Sequence, residues 1–128
     1  MIIEKFIKIA IFLIAIAIVL GALVNHSLKE ILISEKLLSF ETGIRYQIYH
    51  AISILFLALN SKKFNHKLNR SLNMMTIGVV LFSFSIYFLS LQEILDMNLS
   101  FLGPITPLGG TLMIAGWINL FFAIKKND

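Results

Sequence analysis

The chain has no cysteine, which excludes disulfides, thiolate metal sites and thiol nucleophiles. Charge is also scarce: 14% of residues are charged, against about 25% in an ordinary soluble domain. With only two prolines and seven glycines, little interrupts the long apolar runs. Nothing between those runs reads as a linker, a low-complexity tract or a domain boundary. What remains is hydrophobic, 58% of 128 residues. One compact domain of that size has too much surface relative to its core to hide such an excess from water. Lipid is the solvent that suits it. The net charge of +4 does not point to nucleic acid, because the basic residues flank the apolar runs, where membrane topology accounts for them.

Four runs stand out, at residues 6–24, 44–60, 71–91 and 105–124. About 20 helical residues cross a hydrocarbon layer of roughly 30 Å, and the first, third and fourth runs meet that length. The expected fold is therefore an all-α integral membrane protein, a single domain (1–128) built as a four-transmembrane-helix bundle. Lys5 and Lys8 ahead of Gly21-Ala22 also resemble a signal peptide. The apolar run is longer than an h-region, however, so a retained first span is expected.

Positive charge sets the orientation. Lys5, Lys8, Lys62, Lys63, Lys67, Arg70, Lys125 and Lys126 fall on one side, and only Lys29, Lys36 and Arg45 on the other. Both termini are thus expected to be cytoplasmic in a bacterial plasma (inner) membrane, or on the matrix side of a mitochondrial inner membrane. Residues 60–70 make a short basic connection. Residues 27–41 mix Leu28, Ile31 and Leu32 with Lys29 and Glu30, as expected of a short interfacial helix in the first outer loop. Ser34 is placed to cap a helix that continues into the second span, with Thr42-Gly43 as a bend.

Small residues let membrane helices approach closely. Ala10, Ala17 and Gly21 share a face of the first helix, Gly78 and Ser85 one of the third, and Gly109, Gly116 and Ala123 one of the fourth. Close packing is the expected use of all of them, with Asn119 hydrogen-bonding between helices near the last stripe.

The second run is the exception, apolar only from Ala51 to Leu59 apart from Ser53. Nine residues give about 13 Å of helix, less than half a crossing. Residues from Arg45 to His50 must then sit in the outer membrane region, where lipid exposure is unfavourable. At about 100° per residue, Thr42, Tyr46, Tyr49, His50 and Ser53 share one arc, expected to face inward. Arg45 lies at its edge, and Glu41 is spaced for an i, i+4 ion pair with it. Thr76, Ser83, Tyr87 and Ser90 share an arc of the third helix. Topology brings His26, the start of the second span, Ser83, Tyr87 and Thr106 to similar depth. The candidate cluster, whether ligand-binding or structural, is His26, Glu41, Thr42, Arg45, Tyr46, Gln47, Tyr49, His50, Ser83, Tyr87 and Thr106.

The strings Gly21-Ala22…His26 and Phe40-Glu41-Thr42-Gly43-Ile44-Arg45-Tyr46-Gln47-Ile48-Tyr49-His50-Ala51 resemble a membrane family known as domain of unknown function 423. That family includes the eukaryotic transmembrane protein 256. The likeness continues through Leu81-Phe82-Ser83-Phe84-Ser85-Ile86-Tyr87, Gly103, Thr106-Pro107-Leu108-Gly109-Gly110 and Ala115-Gly116-Trp117. It departs at Val24-Asn25, where the family has Gly-Ala. The resemblance implies a four-span protein of bacterial plasma membranes or mitochondria, and it supplies no agreed reaction.

Two uses of the cluster compete. A buried hydrogen-bond network fixing residues 25–43 onto the bundle would make the chain an accessory or scaffold subunit, with membrane lipids and other subunits, or itself, as partners. Alternatively, Arg45 would hold a lipid phosphate or carboxylate, or a quinone head group, between the walls of Tyr46 and Tyr49. A haem held by His26 and His50 and a zinc site recruiting Glu41 are narrower variants, and neither cofactor nor metal is expected. Transport would need an oligomer. No Ser–His–acid spacing, deep carboxylate pair or phosphate loop is present, so no enzymatic activity is expected.

Overall fold

The structure, a computed structural model, describes residues 2–126. Four long helices run up and down: α1 (Ile2–Leu23), α2 (Ser34–Leu59), α3 (Lys67–Leu91) and α4 (Ile105–Phe121). The only sheet-like pairing among the described residues is an isolated antiparallel bridge between Phe64 and Ile124. Three stretches are long and apolar enough to cross a membrane: Ile2–Ile31, Lys67–Leu91 and Ser100–Phe121. The 26 residues of α2 would extend about 39 Å, but Glu35, Lys36, Glu41, Arg45, Gln47 and His50 make its first two thirds polar.

The α1–α2 connection differs from the expected interfacial helix over 27–41. After Leu23 the chain continues as one wide π-helical turn, Val24–Leu28, then as Lys29–Ile31, and breaks only at Leu32 and Ile33 before α2 begins. The wide turn absorbs an extra residue and keeps Val24 and Leu28 buried against Phe40 and Ile44. Residues 34–41 are the first turns of α2, which runs without interruption past Thr42-Gly43. Ser34 is the first helical residue and not its cap; Ile33 holds the cap position and offers no side-chain acceptor.

Core packing follows the antiparallel order. At one end, here the His26 end, Ala17, Val24, Leu28, Phe40, Ile44 and Tyr87 pack together. In the middle, Leu13, Ala51, Val79 and Met113 bring one residue from each helix. At the other, the Asn65 end, Phe6, Ala10, Ile54, Leu57, Ala58, Leu68, Leu72, Met75, Leu120 and Ala123 form the largest layer. Helix α2 packs on both α1 and α3, while α4 packs chiefly on α3.

Glycines set the α3–α4 distance. A Cβ on Gly109 would stand 2.5 Å from the Phe82 nitrogen and 2.6 Å from the Gly78 carbonyl oxygen, closer than any side chain tolerates. The small-residue seam expected here is therefore used, and so are Ala10 and Ala17, both fully buried. Gly21 is not: a Cβ there would meet nothing within 4 Å.

Helix α4 stops at Phe121 because the chain turns to join the α2–α3 connection. Asn65 N–H donates to the Ala123 carbonyl at 2.8 Å and Lys125 N–H to that of Lys63 at 3.1 Å. Asn119 anchors the same end, its amide donating to the Lys67 carbonyl at 3.0 Å and to Ser71 Oγ at 2.7 Å. The expected interhelical role of Asn119 is met.

Candidate functional site

On α2 the residues that turn inward are Phe40, Gly43, Ile44, Gln47, His50, Ala51, Ile54, Leu57 and Ala58. They follow the i, i+3, i+4, i+7 stripe of a core-facing helix. Gln47 sits on that stripe with no exposed surface, so its amide needs partners inside the bundle. It has them: Nε2 donates to the Leu13 carbonyl of α1 at 2.7 Å, and Oε1 accepts from the Tyr87 hydroxyl of α3 at 2.7 Å. One turn away Ser83 Oγ donates to the Gly43 carbonyl at 2.7 Å. The Tyr87 ring lies against Phe40, centroids 4.7 Å apart, and a Cβ on Gly43 would fall 2.6 Å from it. Gln47, Tyr87, Ser83 and Gly43 thus stitch α1, α2 and α3 together.

His50 forms a second junction. Its Nδ1 lies 2.9 Å from the Tyr46 carbonyl, and the Trp117 indole N–H donates to Nε2 at 3.1 Å. A carbonyl only accepts and an indole N–H only donates, so the ring is assigned the neutral form with its hydrogen on Nδ1. Both nitrogens are engaged, which leaves neither for a haem iron. His26 is exposed in the wide turn and lines neither of the two grooves that flank α2. No metal-sized group of three or more His, Asp or Glu occurs among the described residues.

The single polar pocket expected around Arg45 and His50 resolves into two grooves on different faces of α2. One, of about 400 Å³, is lined by Tyr46, His50, Phe82, Gly110, Met113, Ile114 and Trp117, and is largely apolar. The other, of about 210 Å³, lies against the end of α1 and is lined by Gly21, Val24, Asn25, Glu41, Ile44 and Arg45.

The inward arc of Thr42, Tyr46, Tyr49, His50 and Ser53 is corrected accordingly. His50 is buried, but Tyr46 is 41% exposed and Tyr49 57% exposed. Thr42 and Ser53 return their hydroxyls to Leu38 and Tyr49 carbonyls of their own helix. The Glu41–Arg45 ion pair does not form. The one ion pair among the described residues is Lys8–Glu4 at 2.8 Å, while Arg45 Nη2 donates to Thr42 Oγ1 at 3.2 Å. Thr106 meets Ser85 Oγ at 2.6 Å, away from both grooves. Trp117, absent from the sequence-based cluster, belongs to the His50 junction. Its signal was its position on the α4 face one residue from Gly116.

Helical throughout, with three spans' worth of apolar helix and an interior stitched by side-chain hydrogen bonds, this is a membrane protein by class. The family model described as protein of unknown function (DUF423) matches residues 20–110, and the chain belongs to that family. It is 36% identical over 110 residues to a UPF0382 membrane protein of Haemophilus influenzae, covering 86% of this chain and 85% of that one. It is 35% identical over 113 residues to the UPF0382 membrane protein YwdK of Bacillus subtilis, covering 87% and 88%. The UPF0382 inner membrane protein YgdD of Escherichia coli is 32% identical over 103 residues, covering 80% and 75%. No solved structure matches the chain.

Proposed function

We propose that the chain is a non-enzymatic, four-span protein of the bacterial plasma membrane, with both termini cytoplasmic, that serves as an accessory or scaffold component of a membrane assembly. The observation that carries this reading is the use made of the buried polar groups. Gln47 is spent on Leu13 and Tyr87, Ser83 on Gly43, and His50 on Tyr46 and Trp117. Each of these bonds holds one helical segment to another or locks a side chain in place, as a rigid frame requires.

Reading α2 as the fourth span is supported by its packing between α1 and α3 and by the apolar residues Ile52, Phe56 and Leu59 on its exposed side. Outward-facing Ile114, Ile118, Phe121 and Phe122 give α4 a broad apolar face for lipid or for a neighbouring subunit. The test is extraction of the tagged protein in native membrane discs, followed by mass measurement. A stoichiometric assembly larger than the 14.5 kDa chain is expected. Particles holding one chain and lipid alone would overturn the scaffold reading.

Lipid binding is a second reading, favoured by the Arg45–Glu41 groove.

A further inference from the structure

We infer that the groove between the end of α1 and α2 is a binding site for a phospholipid headgroup carrying both a phosphate and a primary ammonium, as in the ethanolamine lipids. The inference rests on the four-span reading, which puts this end of the bundle at the outer headgroup level.

Opposite charges line one small groove, Glu41 and Arg45 together with Gly21, Asn25, Val24 and Ile44. They stand one helical turn apart, the spacing at which a glutamate and an arginine ordinarily pair, yet no ion pair joins them. The guanidinium gives one N–H to Thr42 Oγ1 and keeps others from its five donors free. An anion with several acceptor oxygens suits that remainder, and phosphate is the one a membrane surface supplies. The Glu41 carboxylate accepts only, so the complementary group beside the phosphate is a cation with N–H to donate. An ethanolamine ammonium has three such hydrogens. Choline has none, and phosphatidylglycerol has no cation.

The floor of the groove carries an independent signal. A glycine inside a helix lowers its stability by about 1 kcal/mol relative to alanine, and is usually compensated by a close helix contact. Gly21 has no such contact, with nothing within 4 Å of a Cβ built on it. Its lack of a side chain leaves space in the groove itself. The wide turn begins three residues later, and Asn25 is held across Gly21 by donation to its carbonyl at 3.1 Å. Val24 and Ile44 provide an apolar base for the glycerol and first methylenes.

The experiment reconstitutes the full chain in vesicles of equal parts phosphatidylethanolamine, phosphatidylcholine and phosphatidylglycerol, extracts it into mild detergent and counts retained lipids by native mass spectrometry. Wild type is expected to retain the ethanolamine lipid over the choline lipid on the order of fivefold, as one charge-assisted hydrogen bond provides. Glu41→Lys should move the preference to phosphatidylglycerol, and Arg45→Gln should lower retention of all three. Gly21→Leu should abolish selective retention by filling the groove with both charges intact; circular dichroism of each variant monitors the fold. Equal retention of the three lipids by wild type, or an ethanolamine preference unchanged in all three variants, would overturn the inference. Single-cysteine labelling at Met97 and Lys63 reports topology separately. Loss of selectivity with the expected labelling pattern would overturn the site alone, whereas the wrong labelling pattern would remove the four-span reading on which it rests.

Discussion

A glutamine amide enclosed in an apolar bundle has no water to fall back on, so every unpaired atom counts against the fold. Tyr87→Phe removes only the hydroxyl, which donates to Gln47 Oε1. The expected loss is about 0.6–2 kcal/mol, the range for hydrogen bonds between membrane helices. Gln47→Ala also opens a cavity and orphans the tyrosine hydroxyl, for about 2–3 kcal/mol. Arg45→Ala and Tyr49→Ala, both on exposed positions, should stay within about 0.5 kcal/mol of wild type. Unfolding by sodium dodecyl sulfate titration, followed by circular dichroism, ranks the four; equal losses in all of them would contradict the placement of Gln47. At the second junction, His50→Phe deprives the Trp117 N–H of its acceptor. As the only tryptophan in the chain, Trp117 reports this directly, and its emission should shift to shorter wavelength. Unchanged emission would show that the indole is not bonded to His50.

Among the elements, the α3–α4 pair is held by backbone proximity more than by side-chain interlock. Gly78 and Gly109 face each other, and either Cβ would fall within 2.8 Å of the opposite backbone. Gly109→Leu must therefore push the helices apart, with an expected cost on the order of 3 kcal/mol. In the same denaturant titration Gly21→Leu, whose Cβ meets open space, should be neutral or slightly stabilising. This contrast was half legible in the sequence. The seven-residue repeat of small residues marked Gly78, Gly109 and Gly116 as contact points, because a stripe on one face is what close packing needs. The same logic assigned Gly21 to a seam it does not join, since periodicity gives a face and not the distance to its neighbour. The wide turn after Leu23 was invisible for a related reason: inserting one residue into a helix leaves no compositional mark.

For the molecule as a whole, the absence of cysteine makes membrane topology directly measurable. Single-cysteine variants at Ile31 and Met97, both exposed at the His26 end, should react with a membrane-impermeant maleimide in intact cells. Cysteines at Lys63 and His66, exposed at the opposite end, should react only after permeabilisation. Labelling of Lys63→Cys in intact cells would reverse the orientation, and labelling at both ends from one side would remove α2 as a span. Composition and run length alone determined the membrane class, the number of long helices and the glycine seam, because apolar excess and periodic small residues are properties of the linear pattern. Only the tertiary structure decided which polar residues face inward. The arc read as inward was centred on Tyr46, Tyr49 and Ser53; the buried stripe runs through Phe40, Gly43, Gln47, Ala51 and Ile54, about a third of a turn away. Arginine and tyrosine near a membrane surface reach outward with their polar tips while their stems cover the helix. Polarity by itself therefore does not mark the interior. Helix phase is set by what α1 and α3 press against α2, and only the packed bundle contains that information.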